Sequence, residues 1–104
     1  MRPDAVRAYL ILSTSDDPTS AAVTFAADAH VTDDGHDHHG RAAIREWLGR
    51  TSAAFDYTST PIGGDGTTVT CRVEGDFPGS PVDLDHRFGL DASGLISRLE
   101  IGVH

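Results

Sequence analysis

Lysine, asparagine and glutamine are absent from this 104-residue chain, and cysteine and tryptophan occur once each. A single cysteine, Cys71, excludes an internal disulfide. No stretch approaches the ~18 uninterrupted apolar residues that a membrane-crossing helix needs. The N-terminal MRPDAVRAYLILSTSDD carries only a short apolar patch and no small-residue cleavage site, so no secretory leader is expected. Basic residues are also scarce. There are eight, all arginine, against 16 acidic residues, for a net charge of −8. A surface of this sign repels phosphate backbones and anionic lipid headgroups, so neither nucleic acid nor a membrane is an expected partner. The expectation is a soluble cytoplasmic protein forming one domain over 1–104, long enough to bury ~60–65% of its unfolded surface.

What is present is organised around FAADAHVTDDGHDHHGR, residues 25–41. Its middle reads as a short strand from about Ala29 to Asp33. Alternation puts Ala29, Val31 and Asp33 on one face, and His30, Thr32 and Asp34 on the other. The carboxylate of Asp33 therefore points the way the apolar residues point. Upstream, Val6, Tyr9, Leu10 and Ser13 follow i, i+3, i+4, i+7 spacing, and Ala5, Ala8, Ile11 and Leu12 widen the apolar side, so a first helix packed on more than one side is expected. Asp17 before Pro18 starts a second helix, expected to run through Ala22, Val23 and Ala26. Asp34-Gly35 is turn-like, and DGHDHHG reads as a solvated loop leading to Gly40. A third helix follows from Arg41 to about Arg50, with Ile44, Trp47 and Leu48 as its stripe.

From there the periodicity changes to two. Phe55 and Tyr57 begin a strand that Gly63-Gly64-Asp65-Gly66 turns, and Val69, Cys71 and Val73 share a face of the next. The stretch PVDLDHRFGLD alternates most clearly, with Val82, Leu84, His86, Phe88 and Leu90 on one side. After the Asp91–Gly94 turn, the last strand is expected to put Leu95, Ser97, Leu99, Ile101 and Val103 on one face, with Ile96, Arg98 and Glu100 opposite. Helices first and strands afterwards is an α+β pattern: three helices in the N-terminal half, packed on a strongly curved, mostly antiparallel sheet.

Three polar side chains stand where the periodicity asks for Val or Leu: Tyr9, Asp33 and His86. Leaving each buried and unpaired would cost ~1–3 kcal/mol. Taken singly, each has an ordinary explanation: a core tyrosine with its hydroxyl at the rim, a strand-end cap, a histidine satisfied by a backbone carbonyl. Sharing one cavity would offset the cost through mutual contacts, water or a ligand.

In FAADAHVTDDG, HHGRAAIREWL and GDFPGSPVDLDHRFGLDASGLISRLEI the chain resembles the nuclear-transport-factor-2-like superfamily, in its SnoaL-like branch. The resemblance covers nearly the whole length and implies a curved sheet around a helix-lined, conical pocket. It implies little about the reaction, because the superfamily includes isomerases, cyclases, dehydratases, epoxide hydrolases and members with no reaction. With ketosteroid isomerase as the template, its general-base aspartate falls on Asp33, its oxyanion-hole tyrosine on Tyr9 and its second oxyanion donor on His86. In that isomerase the second donor is a protonated carboxylic acid. Here it would be an imidazole, which makes steroid isomerisation itself a poor expectation.

The resemblance further implies a pocket wall containing Val31, Trp47, Leu84, Phe88 and Phe55, with His39 over the mouth. It implies a small apolar carbonyl-type ligand and a homodimer paired through the sheets. Asp33 would take a proton next to a carbonyl, and Tyr9 and His86 would stabilise the oxyanion, as in an isomerase or an aldol-type cyclase. Two other readings stand beside it: a non-catalytic module that holds a hydrophobic molecule, and a dimerisation domain with a filled core. No cofactor is expected. His36, His38 and His39 could suggest zinc, but a structural zinc site wants four ligands, often cysteines, and none is expected here.

Overall fold

Helix α1 (Asp4–Leu12) buries Val6 and Tyr9, one turn apart, and leaves Ile11 74% exposed. One face is therefore covered, not several as the width of the apolar stripe predicts. The structure, a computed structural model, describes residues 4–13, 17–54 and 56–104 apart from the side chain of Ser52. Helix α2 (Pro18–Ala22) begins at Asp17, whose carboxylate accepts from the Ser20 backbone N–H at 3.1 Å and from the Ser20 hydroxyl at 2.6 Å. Pro18 opens the helix at a position where no N–H is needed. The helix closes at Val23, earlier than predicted, because Phe25 and Ala26 already belong to the first strand.

That strand, β1 (Phe25–Asp33), is longer than its alternation suggests. A register irregularity between Phe25 and His30 breaks the period-two pattern. The Arg41 guanidinium donates to the Phe25 carbonyl there, at 2.7 Å and 3.3 Å. The segment expected to be a solvated loop is a strand, β2 (His36–His39), which pairs antiparallel with β1. Asp34 and Gly35 have φ of 52° and 78°, the two consecutive left-handed residues of a tight hairpin turn. The pairing His30–His39, Val31–His38, Thr32–Asp37 and Asp33–His36 sends His36 and His38 to the same face as Asp33.

Helix α3 (Arg41–Ala54) runs a turn further than expected and buries Ile44, Trp47 and Leu48. Strands β3 (Tyr57–Gly64), β4 (Thr68–Gly75), β5 (Val82–Leu90) and β6 (Ile96–Val103) complete one curled sheet in the order β2-β1-β6-β5-β4-β3. All neighbouring pairs are antiparallel except β1 with β6. The sheet is mixed, α+β as predicted, and curled without closing. Strand β6 departs from the expected alternation. Leu90 pairs with Ile96 while Gly89 pairs with Arg98, so Ser97 is an extra residue. This bulge changes the phase and puts Ile96 in the core beside Leu99, where both are fully buried.

Helices and sheet enclose a core of Val6, Phe25, Val31, Ile44, Val69, Cys71, Phe88, Ile96 and Leu99. The opposite face of the sheet is polar. Arg72 bonds Asp83 at 3.0 Å, Thr70 and His104 bond Asp85 at 2.6 Å and 2.9 Å, and Arg98 bonds Glu100 at 2.8 Å.

Candidate functional site

The inward-pointing rows of the strands do not stay packed along their whole length. On β1 the row passes from Val31 in the core to Asp33. On β5 it passes from Phe88 to His86, Leu84 and Val82, on β4 from Cys71 to Val73, and on β6 from Leu99 to Ile101. The second member of each series lines a cavity of about 580 Å³. Tyr9 from α1 and Ser13 just after it line it too, with Trp47, Leu48 and Thr51 from α3 and Tyr57 and Ser59 from β3. Phe77 and Pro78, in the connection from β4 to β5, complete the wall with Asp34.

Tyr9, Asp33 and His86 thus come from three separate elements to one cavity, and Trp47 and Leu84 are on the same wall. Val31 and Phe88 lie one step too deep in their rows and are core residues. His39 is exposed on the other face of the sheet, its ring centroid 5.7 Å from that of His30. His38, on the same face as Asp33, stacks on Trp47 at 5.6 Å and 25°. Phe55 lies outside the described residues. Tyr57 and Phe77 are wall residues that sequence reasoning passed over, while Ser13 lines the wall from the end of the stripe that carries Tyr9. Tyr57 and Ser59 share a strand phase, but β3 is too polar for that phase to stand out.

One hydrogen bond organises the carboxylate. The Trp47 indole Nε1–H donates to Asp33 Oδ2 at 3.0 Å, while Asp33 Oδ1 has no protein partner among the described residues. The phenols of Tyr9 and Tyr57 are both raised above their ordinary range, that of Tyr9 strongly. For each, burial is the main cause and the negative charge of Asp33 adds to it. A hydrogen bond with the Ser13 side chain works against this at Tyr9. Both phenols therefore keep their protons at any physiological pH.

Burial lowers the affinity of His86 for a proton, against the pull of the Leu84 and Val69 backbones and of Asp33. Its Nδ1 is sealed from solvent without a hydrogen-bond partner, and the ring stacks on Phe88 at 6.3 Å and 16°. His38 is likewise held neutral, by burial first and by Arg50 next.

The remaining histidines make local contacts. His36 Nδ1 lies 3.1 Å from the Asp34 carbonyl oxygen. His30 Nε2 approaches Asp37 Oδ1 at 3.2 Å without the alignment of a hydrogen bond. Among the described residues no three His, Cys, Asp or Glu side chains are grouped so as to hold a metal ion.

A curled sheet with three helices, walling a cavity lined by aromatic rings and the carboxylates of Asp33 and Asp34, defines a class of small pocket proteins. The SnoaL-like domain model matches residues 6–97, and the chain belongs to that family. A crystal structure of a proposed polyketide cyclase from Sinorhizobium meliloti is 38% identical to it, covering 96% of this chain and 94% of that one with a TM-score of 0.86. A hypothetical protein of ketosteroid-isomerase-like fold from Catenulispora acidiphila is 24% identical, over 98% and 86% of the two chains, with a TM-score of 0.79. The epoxide hydrolase/cyclase-like enzyme SalBIII of salinomycin pyran-ring formation is 20% identical, over 97% and 88%, with a TM-score of 0.67. The last two likenesses are of fold. No functionally curated protein matches the chain.

Proposed function

We propose that the cavity binds a small, largely apolar carbonyl compound and that Asp33 removes a proton next to the carbonyl, in the manner of an isomerase or cyclase. The observation that carries this is the convergence of Tyr9, Asp33 and His86 on one cavity, with Asp33 held through Oδ2 by Trp47 and its Oδ1 left for a substrate. The resemblance to the Sinorhizobium polyketide cyclase supports the reaction class.

In this reading Oδ1 accepts the proton while the carbonyl oxygen becomes an enolate oxygen. That oxygen takes hydrogen bonds from the Tyr9 hydroxyl, which the Ser13 hydroxyl then serves as a donor, and from His86 with its proton on Nε2. Donors preorganised at a developing oxyanion are typically worth about 3–4 kcal/mol each. The proton on Asp33 returns to a different carbon in an isomerisation; in a cyclisation the enolate carbon attacks a second carbonyl, whose oxygen becomes an alkoxide and takes the proton from Asp33. A small cyclic ketone in D2O, followed by proton NMR, tests this. Wild type accelerates deuterium uptake next to the carbonyl, whereas Asp33→Asn takes the rate to background and still binds ligand. Full activity in that variant would falsify the assignment.

A pocket that binds without reacting is the second reading, and unaccelerated exchange in wild type would select it. A domain with a filled core is disfavoured by the cavity itself. We further read the protein as a cytoplasmic homodimer. The outer face of β4, β5 and β6, rich in Arg–Asp and Thr–Asp pairs and covered by no helix, supports the pairing, and light scattering on the purified chain tests it.

A further inference from the structure

The charge of the cavity restricts what can occupy it more sharply than its size does. Its described wall carries two carboxylates, Asp33 and Asp34, and no arginine. Arg50, the cation that His38 senses, is exposed and outside the wall. Burial lowers the proton affinity of His86, on the wall, and of His38, beside Trp47. The same cavity is lined by four aromatic rings, those of Tyr9, Trp47, Tyr57 and Phe77. Two of them, Tyr9 and Tyr57, sense the charge of Asp33 directly. Trp47 presents its indole edge to Oδ2, and Oδ1 faces no donor among the described residues.

A carboxylate with one oxygen unbonded, in a cavity lined by aromatic rings and without an arginine on its described wall, has an unmet electrostatic demand. An anionic ligand would meet repulsion there. A neutral ligand would leave the demand unmet. A primary ammonium brings three N–H donors and needs three acceptors. An alkylated ammonium needs none. Its charge is spread over methyl or methylene groups, which pack on ring faces and are attracted by their quadrupoles.

We propose that the cavity recognises an organic cation, a ligand bearing a tertiary or quaternary ammonium group that lies against Asp33 and the rings of Tyr9, Trp47 and Tyr57. The volume of about 580 Å³ leaves room for an apolar body between Leu84, Val73 and Ile101. The proposal rests on the reading that this cavity is the functional site, and on nothing about the reaction performed there.

Three probes of one shape and three charges test it: choline, its neutral isostere 3,3-dimethyl-1-butanol, and the anion 3,3-dimethylbutanoate. Binding is followed by calorimetry and by the Trp47 indole N–H resonance, which locates the ligand at Asp33. The expected order is choline tightest, the alcohol weaker by about tenfold or more, and the anion weakest. Asp33→Asn should remove the difference between choline and the alcohol while leaving the affinity for the alcohol. Because the decisive comparison is made on wild type, it stands even where that variant folds poorly. Equal affinities for choline and the alcohol, no saturable binding of choline in the millimolar range, or binding that leaves the Trp47 resonance unmoved would overturn the proposal. The deuterium-exchange assay fails or succeeds independently, since it uses a neutral ketone.

Discussion

Replacing His86 by Phe should make the protein more stable, and more so as the pH falls. His86 is 6% exposed, its Nδ1 is sealed without a partner, and its ring lies parallel to Phe88 and 6.3 Å from Tyr9. Phenylalanine keeps the ring and the stacking while deleting the orphaned nitrogen. An unsatisfied buried polar group costs about 1–3 kcal/mol, so a gain of that order is expected at pH 7.5. For a chain of this size it corresponds to about 4–8 °C in Tm per kcal/mol.

The pH dependence has a definite sign. Burial lowers the proton affinity of His86 in the fold relative to its ordinary 6.5. Below about pH 7 the unfolded chain therefore binds a proton that the folded chain refuses, and stability falls as the pH falls. The slope from one histidine is at most about 1.4 kcal/mol per pH unit. His38 is shifted in the same direction, so it leaves part of the slope in place after His86 is gone. Urea unfolding followed by the fluorescence of Trp47 at pH 7.5, 6.5 and 5.5 measures both quantities. A His86→Phe variant that is less stable than wild type at pH 7.5, with an unchanged slope, would show that Nδ1 is satisfied and the reasoning mistaken.

Trp47→Phe removes the hydrogen bond to Asp33 Oδ2, and bonds to charged groups are worth about 1.5–3 kcal/mol. Thermal unfolding should report a loss of that order, and Asp33→Asn in the same background should add little further loss if the two side chains act as one unit. Gly64→Ala should be among the most destabilising surface changes, costing at least about 1–3 kcal/mol. Gly64 has φ of 103°, and an added Cβ would stand 2.1 Å from the Thr68 carbonyl oxygen. Gly79, also at positive φ but with nothing within 4 Å, is the control and should lose less in the same urea titration.

Alternation and helical spacing tell which way a side chain points, and that much of this protein is written locally. They put Tyr9 on the buried stripe of α1, Asp33 with Val31, and His86 with Phe88, and they set out helices ahead of strands. They carry no measure of height along a row. Whether the row at Val31 and Asp33, or at Phe88 and His86, is closed by packing or left open depends on which elements lie across from it. Only the curl of the sheet against α1 and α3 decided that, making Val31 and Phe88 core and Asp33 and His86 wall. Strand β2 gave no hydrophobic signal because all four of its residues are polar, although Asp34-Gly35 marked its turn. The bulge at Ser97, which turned Ile96 inward, lies within the β5–β6 hairpin but breaks the alternation from which the facing was read, and the parallel pairing of β1 with β6 arises between strands far apart in sequence. So does the bond from Trp47 to Asp33: two residues fourteen positions apart, on a helix and a strand, meet because both must cover the same core.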